Sequence, residues 1–112
     1  MTYTIINAGV ATGNLTSTSL DMDLYSAKTF NLGVQVVASG LTSADSVVKI
    51  QGSNVDLDAY YNDITDATLT LAAGASYPVI APIALIGLRF YRAVYTKNTN
   101  AGGTVSVIVN IN

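Results

Sequence analysis

Side chains that alternate with a period of two limit this chain more than any other feature. In FNLGVQVVA, Phe30, Leu32, Val34 and Val36 take one side while Asn31, Gly33 and Gln35 take the other. That is the spacing of a half-buried strand, whose successive side chains point to opposite faces of a sheet. SLDMDLY repeats it, with Leu20, Met22 and Leu24 opposed to Asp21, Asp23 and Tyr25. SVVKIQGSN sets Val48 and Ile50 against Lys49 and Gln51, and TLTLAAG aligns Leu69 with Leu71 before Gly74 ends the run. TVSVIVNIN places Val105, Val107, Val109 and Ile111 together. A strand is also expected in AYYNDI, separated from TLTLAAG by a turn. LRFYRAVYTKN and TVSVIVNIN around TNAGG read as a hairpin, with Phe90, Arg92, Val94 and Thr96 on one side of its first arm and Arg89, Tyr91, Ala93, Tyr95 and Lys97 on the other. Thr2 to Ile6 reads as a short edge strand, and 7–18 as a loop with one short strand near Leu15. Units of about ten residues between turn signals predict an all-β fold, a single antiparallel β-sandwich of jelly-roll type with about eight strands. One domain spans 1–112, with 1–18 an extended N-terminal arm or edge strand.

Composition then narrows the function. Only 11% of the 112 residues are charged and 50% are hydrophobic, with a formal charge of −2, whereas a soluble domain carries about 25% charged residues. Mean hydropathy is +0.42. So little charge leaves little to keep copies apart, and self-association is expected. His, Cys and Glu are absent, which removes the commonest general bases, the thiolate nucleophile and most transition-metal ligands. No disulfide is possible. The hydroxyl nucleophiles lack a histidine to activate them, and no Ser-Lys motif appears, so no enzyme and no cofactor are expected. Lys28, Lys49, Arg89, Arg92 and Lys97 are too few and too scattered to grip a phosphate backbone, so no nucleic acid is expected as a partner. The apolar run from Tyr77 to Leu88 holds two prolines and falls short of the roughly 20 residues that a spanning helix needs, which argues against a membrane. No basic region precedes the first apolar residues, so the mature chain is expected to start near Met1.

Four clusters are candidates for a site. Asn54, Asp56 and Asp58 alternate as at the opening of a calcium loop, but Ala59 stands at the sixth position, where glycine belongs, and Thr65 at the twelfth, where glutamate belongs. A turn whose Asx side chains cap backbone groups is the expectation. Asp21 and Asp23 form a pair that a metal or a glycosidase-like reaction would use. With no second pair nearby, they are expected to belong to a polar strand face. Tyr60, Tyr61, Tyr77, Tyr91 and Tyr95 would make either a platform for sugar rings or packing between strands and at a subunit interface. Without tryptophan, packing is expected. Arg89 and Arg92 would supply an intersubunit salt bridge or stack on Phe90 or Tyr91.

KIQGSNVDLDAYYNDI, TLTLAAG and LRFYRAVYTKNTNAGGTVSVIVNIN, covering roughly Lys49 to Asn112, resemble small structural proteins of tailed bacteriophage virions. The shared pattern is a Gln-Gly-Ser-Asn strand, an aromatic strand, and an Arg-aromatic-Arg strand followed by a glycine-rich turn and a Thr-Val-Ser strand. The resemblance implies a virion protein, a capsid decoration or cement protein or the base of a head fibre, whose partners are the major capsid protein and itself, as a trimer or higher oligomer. A carbohydrate-binding module, using the tyrosines and the turn at Asn54 to Asp58 to hold glycan or calcium, is the alternative.

Overall fold

A computed structural model describes residues 2–24, 30–85 and 88–111. Lys28, the end of the SLDMDLY run at Tyr25, and residues 86–87 of the long apolar run lie outside them. Ten strands form two five-stranded antiparallel sheets. The first sheet contains β1 (Thr2–Val10), β10 (Thr104–Ile111), β4 (Phe30–Leu41), β7 (Gly74–Ser76) and β8 (Val79–Leu85). The second contains β2 (Leu15–Thr16), β3 (Leu20–Asp21), β9 (Phe90–Thr96), β5 (Val47–Ser53) and β6 (Asn62–Thr70).

The pairs are nested. β5 joins β6, β4 joins β7 and β8, β9 joins β2 and β3, and β1 joins β10. Because β2 and β3 lie on one neighbour, as do β7 and β8, each couple acts as one interrupted strand. Counted so, the fold is an eight-stranded jelly roll, a long hairpin centred on the β5–β6 connection and rolled up until β10 meets β4 and β9 meets β5. The expectation of about eight strands in a sandwich holds.

Alternation shows directly in burial. Leu32, Val34, Val36 and Ala38 of β4 and Val105, Val107, Val109 and Ile111 of β10 face Val48 and Ile50 of β5 and Tyr91, Ala93 and Tyr95 of β9 across one core. Burying each large aliphatic side chain contributes about 1.5–3 kcal/mol, so this two-layer contact dominates stability.

Five local expectations change. The final segment is no hairpin: β9 lies in the second sheet and β10 in the first, so the glycine-rich turn carries the chain across the sandwich. The reason is that each strand has a full inward face, and two such faces are both buried when they oppose one another across the core. The turn expected between AYYNDI and TLTLAAG is instead a bulge within β6, where the register shifts between Lys49 and Gln51 and Asp66 takes φ 61°, a conformation that Asp tolerates. AYYNDI itself begins in a 3₁₀ turn, Asp58–Tyr60. The SLDMDLY strand stops after Asp21 and winds into a 3₁₀ turn, Met22–Leu24. There the Asp23 N–H donates to Asp21 Oδ1 at 3.1 Å, a local bond that competes with the ladder. Finally, β1 is longer than Thr2 to Ile6 and runs to Val10 along the sheet edge, while a short strand does lie at Leu15.

Candidate functional site

At the end of the sandwich where β3, β5 and β9 meet, arginines and carboxylates organise the loops. Asp21 and Arg89 lie side by side because β3 pairs with β9 at Asp21 and Phe90. Arg89 donates through Nε and Nη2 to the two oxygens of Asp21, each at 3.0 Å, and Nε lies 3.2 Å from Asp23 Oδ2. Its guanidinium sits 4.8 Å from the centre of the Phe90 ring, and its backbone N–H donates to Asn54 Oδ1 at 3.1 Å.

Arg92, on the opposite face of β9 from the core, stacks 3.9 Å over Tyr61, donates from Nε to Gln51 Oε1 at 3.0 Å and from Nη1 to Asp58 Oδ1 at 2.6 Å. The Tyr61 hydroxyl donates to Asp56 Oδ1 at 2.7 Å, and Ser19 Oγ donates to the same oxygen at 2.6 Å. Along β5 and β6, Gln51 Nε2 and Lys49 Nζ both reach Asp63. Exposed ion pairs of this kind contribute little singly, about 0–1 kcal/mol each. Their effect is to fix the loop side chains against one another.

The carboxylates titrate accordingly. Arg89 holds Asp21 below the usual aspartate range, Ser19 and then Tyr61 do so for Asp56, Gln51 and then Lys49 for Asp63, and Ser43 and then Thr99 for Asp45. A carboxylate with a depressed folded-state pKa stays ionised in the fold while the unfolded chain already takes up protons near pH 4. Its contribution is complete above that range and is lost as pH falls through the folded value. The thermal midpoint should therefore be level from about pH 5 to pH 8 and fall progressively below about pH 4. A midpoint unchanged down to about pH 2 would contradict this reading.

Several expected site residues move. Tyr91 and Tyr95 are 2% and 0% exposed, so they are core residues and not interface residues; the inward face of β9 carries them. Tyr95 donates its hydroxyl to Ala11 O at 2.9 Å. Tyr61 is also buried, under Arg92, and burial raises its pKa. Arg89 and Arg92 find carboxylates within the chain, Asp21 with Asp23 and Asp58. Tyr60 and Tyr77 are exposed, at 58% and 61%, but one follows β5 and the other joins β7 to β8, so the five tyrosines build no common platform. Asn54, Asp56 and Asp58 turn to three different partners, Arg89, the Ser19–Tyr61 pair and Arg92, and among the described residues no group of three carboxylates could hold a metal ion.

The sequence reading missed two surface features. Among the described residues, Val10, Val55, Leu57 and Val79 are exposed large apolar side chains, as are Tyr60 and Tyr77. Charge is also partitioned: the strands of the first sheet, TYTIINAGV, FNLGVQVVASGL, GAS, VIAPIAL and TVSVIVNI, hold no Asp, Glu, Lys or Arg. Both signals were in the string, but the grouping of strands into sheets was not.

These features define a class, the jelly-roll β-sandwich. No family model matches the chain, and no curated protein matches it. Among solved structures, it is similar to a chain from the structure of the infectious bursal disease virus Gx strain, at 17% sequence identity and a TM-score of 0.36, with 97% of this chain and 32% of that chain covered. The chain thus spans about a third of that neighbour's length.

Proposed function

We propose that this protein is a non-enzymatic structural subunit of a virus particle, of the kind that decorates or cements a tailed-bacteriophage capsid or forms the base of a head fibre. It acts by burying neutral surface against copies of itself and against the major capsid protein. The observation that carries this reading is the exposure of Val10, Val55, Leu57, Tyr60, Tyr77 and Val79 on a chain with only 11% charged residues. Such side chains gain about 25 cal/mol for each Å² of apolar surface that a partner covers, and little charge opposes the contact. Many copies on one particle then hold it through summed weak contacts. Absence of His, Cys and Glu supports a role without catalysis, and the commitment of Asp21 and Asp23 to Arg89 takes away the pair that hydrolysis would need.

Sedimentation of the purified chain at about 1 μM and about 100 μM, the range in which modest self-affinity shows itself, should reveal a species of two or more copies at the higher concentration. Emptied capsids should retain the protein, and Tyr60→Ala should weaken that retention. A chain that sediments as one copy at both concentrations and leaves capsids bare overturns the proposal. Retention on a glycan array, abolished by Tyr60→Ala, would favour the sugar-binding alternative.

A further inference from the structure

We propose that the outer face of the first sheet is the surface through which two copies of this chain meet, each presenting the same face to the other. The inference rests on the self-association reading above and names its contact.

The outward residues fall into a row across four neighbouring strands, Thr4 of β1, Ile108 of β10, Gln35 of β4 and Val79 of β8, with Ser106 and Val37 as the next pair. Aliphatic side chains thus stand among small neutral polar ones, and no ion occurs on any of the five strands. An interface core has this composition, depleted of charge. The second sheet differs: its outer side carries Lys49, Asp63, Arg92 and Asp58 in a paired network already complete within the chain.

Neutrality selects the occupant. An ordinary protein surface, about a quarter charged, would have its ions stripped of water against hydroxyls and amides with no counter-charge. A second copy of the same face brings no ion to desolvate and no like-charge repulsion. Area agrees with this choice. Four strands spaced about 4.8 Å apart, each showing about eight residues at roughly 3.3 Å rise, present about 500 Å² per copy. A face-to-face pair therefore buries about 1,000 Å², the size that a specific contact requires. Addition along the β1 edge is disfavoured, because β1 shifts register twice, between Thr4 and Ile6 and between Ile6 and Gly9, and Ala8 takes φ 48°. Bulges of this kind spoil an edge for strand pairing. A contact with two-fold symmetry sets pairs of chains as the unit of assembly and leaves Val55, Leu57 and Tyr60, in the β5–β6 connection, for other partners.

Gln35 is exposed and central on this face, so replacing it should leave the melting midpoint of the single chain, measured at a concentration too low for association, unchanged. Full-length Gln35→Lys and Gln35→Asp, each alone, should self-associate at least roughly tenfold more weakly than the parent in sedimentation equilibrium, since like charges are forced together. An equimolar mixture of the two should recover association. If both variants associate like the parent, this face is not the contact, while self-assembly itself stands. If each variant is weakened but the mixture is not restored, the face meets a different surface and the like-to-like pairing is wrong. A parent that stays single at high concentration removes both the contact and the assembly reading.

Discussion

Asn100→Asp should destabilise the fold by about 3–5 kcal/mol, the cost of an uncompensated buried charge. Asn100 is 1% exposed and lies in the turn that carries the chain from β9 to β10. Its Nδ2 donates to Ala11 O at 2.8 Å and Gly102 O at 2.7 Å and lies 3.2 Å from the Tyr95 hydroxyl, while its Oδ1 accepts from the Thr42 N–H at 2.8 Å. One amide therefore ties together the β1–β2 connection, the end of β4 and the crossing turn. A carboxylate in its place keeps the volume but aims an anion at two carbonyl oxygens. Asn100→Ala loses the same bonds without the charge and should cost less, about 2–4 kcal/mol from several unmet buried partners. At about 4–8 °C for each kcal/mol in a domain near 100 residues, the Asp variant should melt at least about 12 °C below the parent. Urea titrations at pH 7 and pH 5 test the cause. The burial-raised pKa of the new carboxyl means that it is more nearly neutral at the lower pH, so the gap between variant and parent should narrow there. A deficit under about 1 kcal/mol, within the spread of surface changes, would show that the three loops do not depend on this amide.

Gly103→Ala should be comparably severe, for a reason of backbone and not of polarity. Gly103 holds φ +85° at the start of β10, and a Cβ there would collide with the Ser39 carbonyl oxygen and come within 2.6 Å of the Gly40 carbonyl carbon and 2.8 Å of its oxygen. All of these are main-chain atoms of β4, the strand that β10 pairs with along its length. They cannot rotate aside. The left-handed conformation alone costs alanine about 1–2 kcal/mol, and moving the β4 backbone adds to it, so a loss of at least about 3 kcal/mol is expected. Gly102→Ala provides the contrast. Its Cβ would first meet the Thr42 methyl at 3.1 Å, a side-chain atom, and no positive φ is involved. Equal midpoints for the two variants in chemical denaturation would show that the close approach of β10 to β4 relaxes freely.

Both predictions fall at the sheet crossing, and this is where sequence reasoning failed. TNAGG carries the residues of a tight turn, and two alternating strands around it are the ordinary form of a hairpin. Nothing in that local pattern reports that Tyr91 and Tyr95 of one strand and Val107 and Val109 of the other enter one core from opposite layers. Asn100 was hidden for the same reason. An asparagine beside glycines reads as turn chemistry until the loops at Ala11 and Thr42 arrive around it. Arg89 and Arg92 were legible as anchoring residues, but their partners, Asp21 in β3, six strands before β9, and Asp58 in the β5–β6 connection, are brought to them by pairing over long sequence distances.

Residue order alone determined the all-β class, the inward faces of β4, β5 and β10, the poverty in ions and the absence of histidine, cysteine and glutamate, because burial alternates with side-chain direction and composition needs no fold. Tertiary structure decided which strands share a layer, which tyrosines are core, and that every ionic side chain is missing from one whole sheet. Sheet membership depends on contacts between residues far apart in the chain, and those energies appear only once the nested hairpin has rolled up.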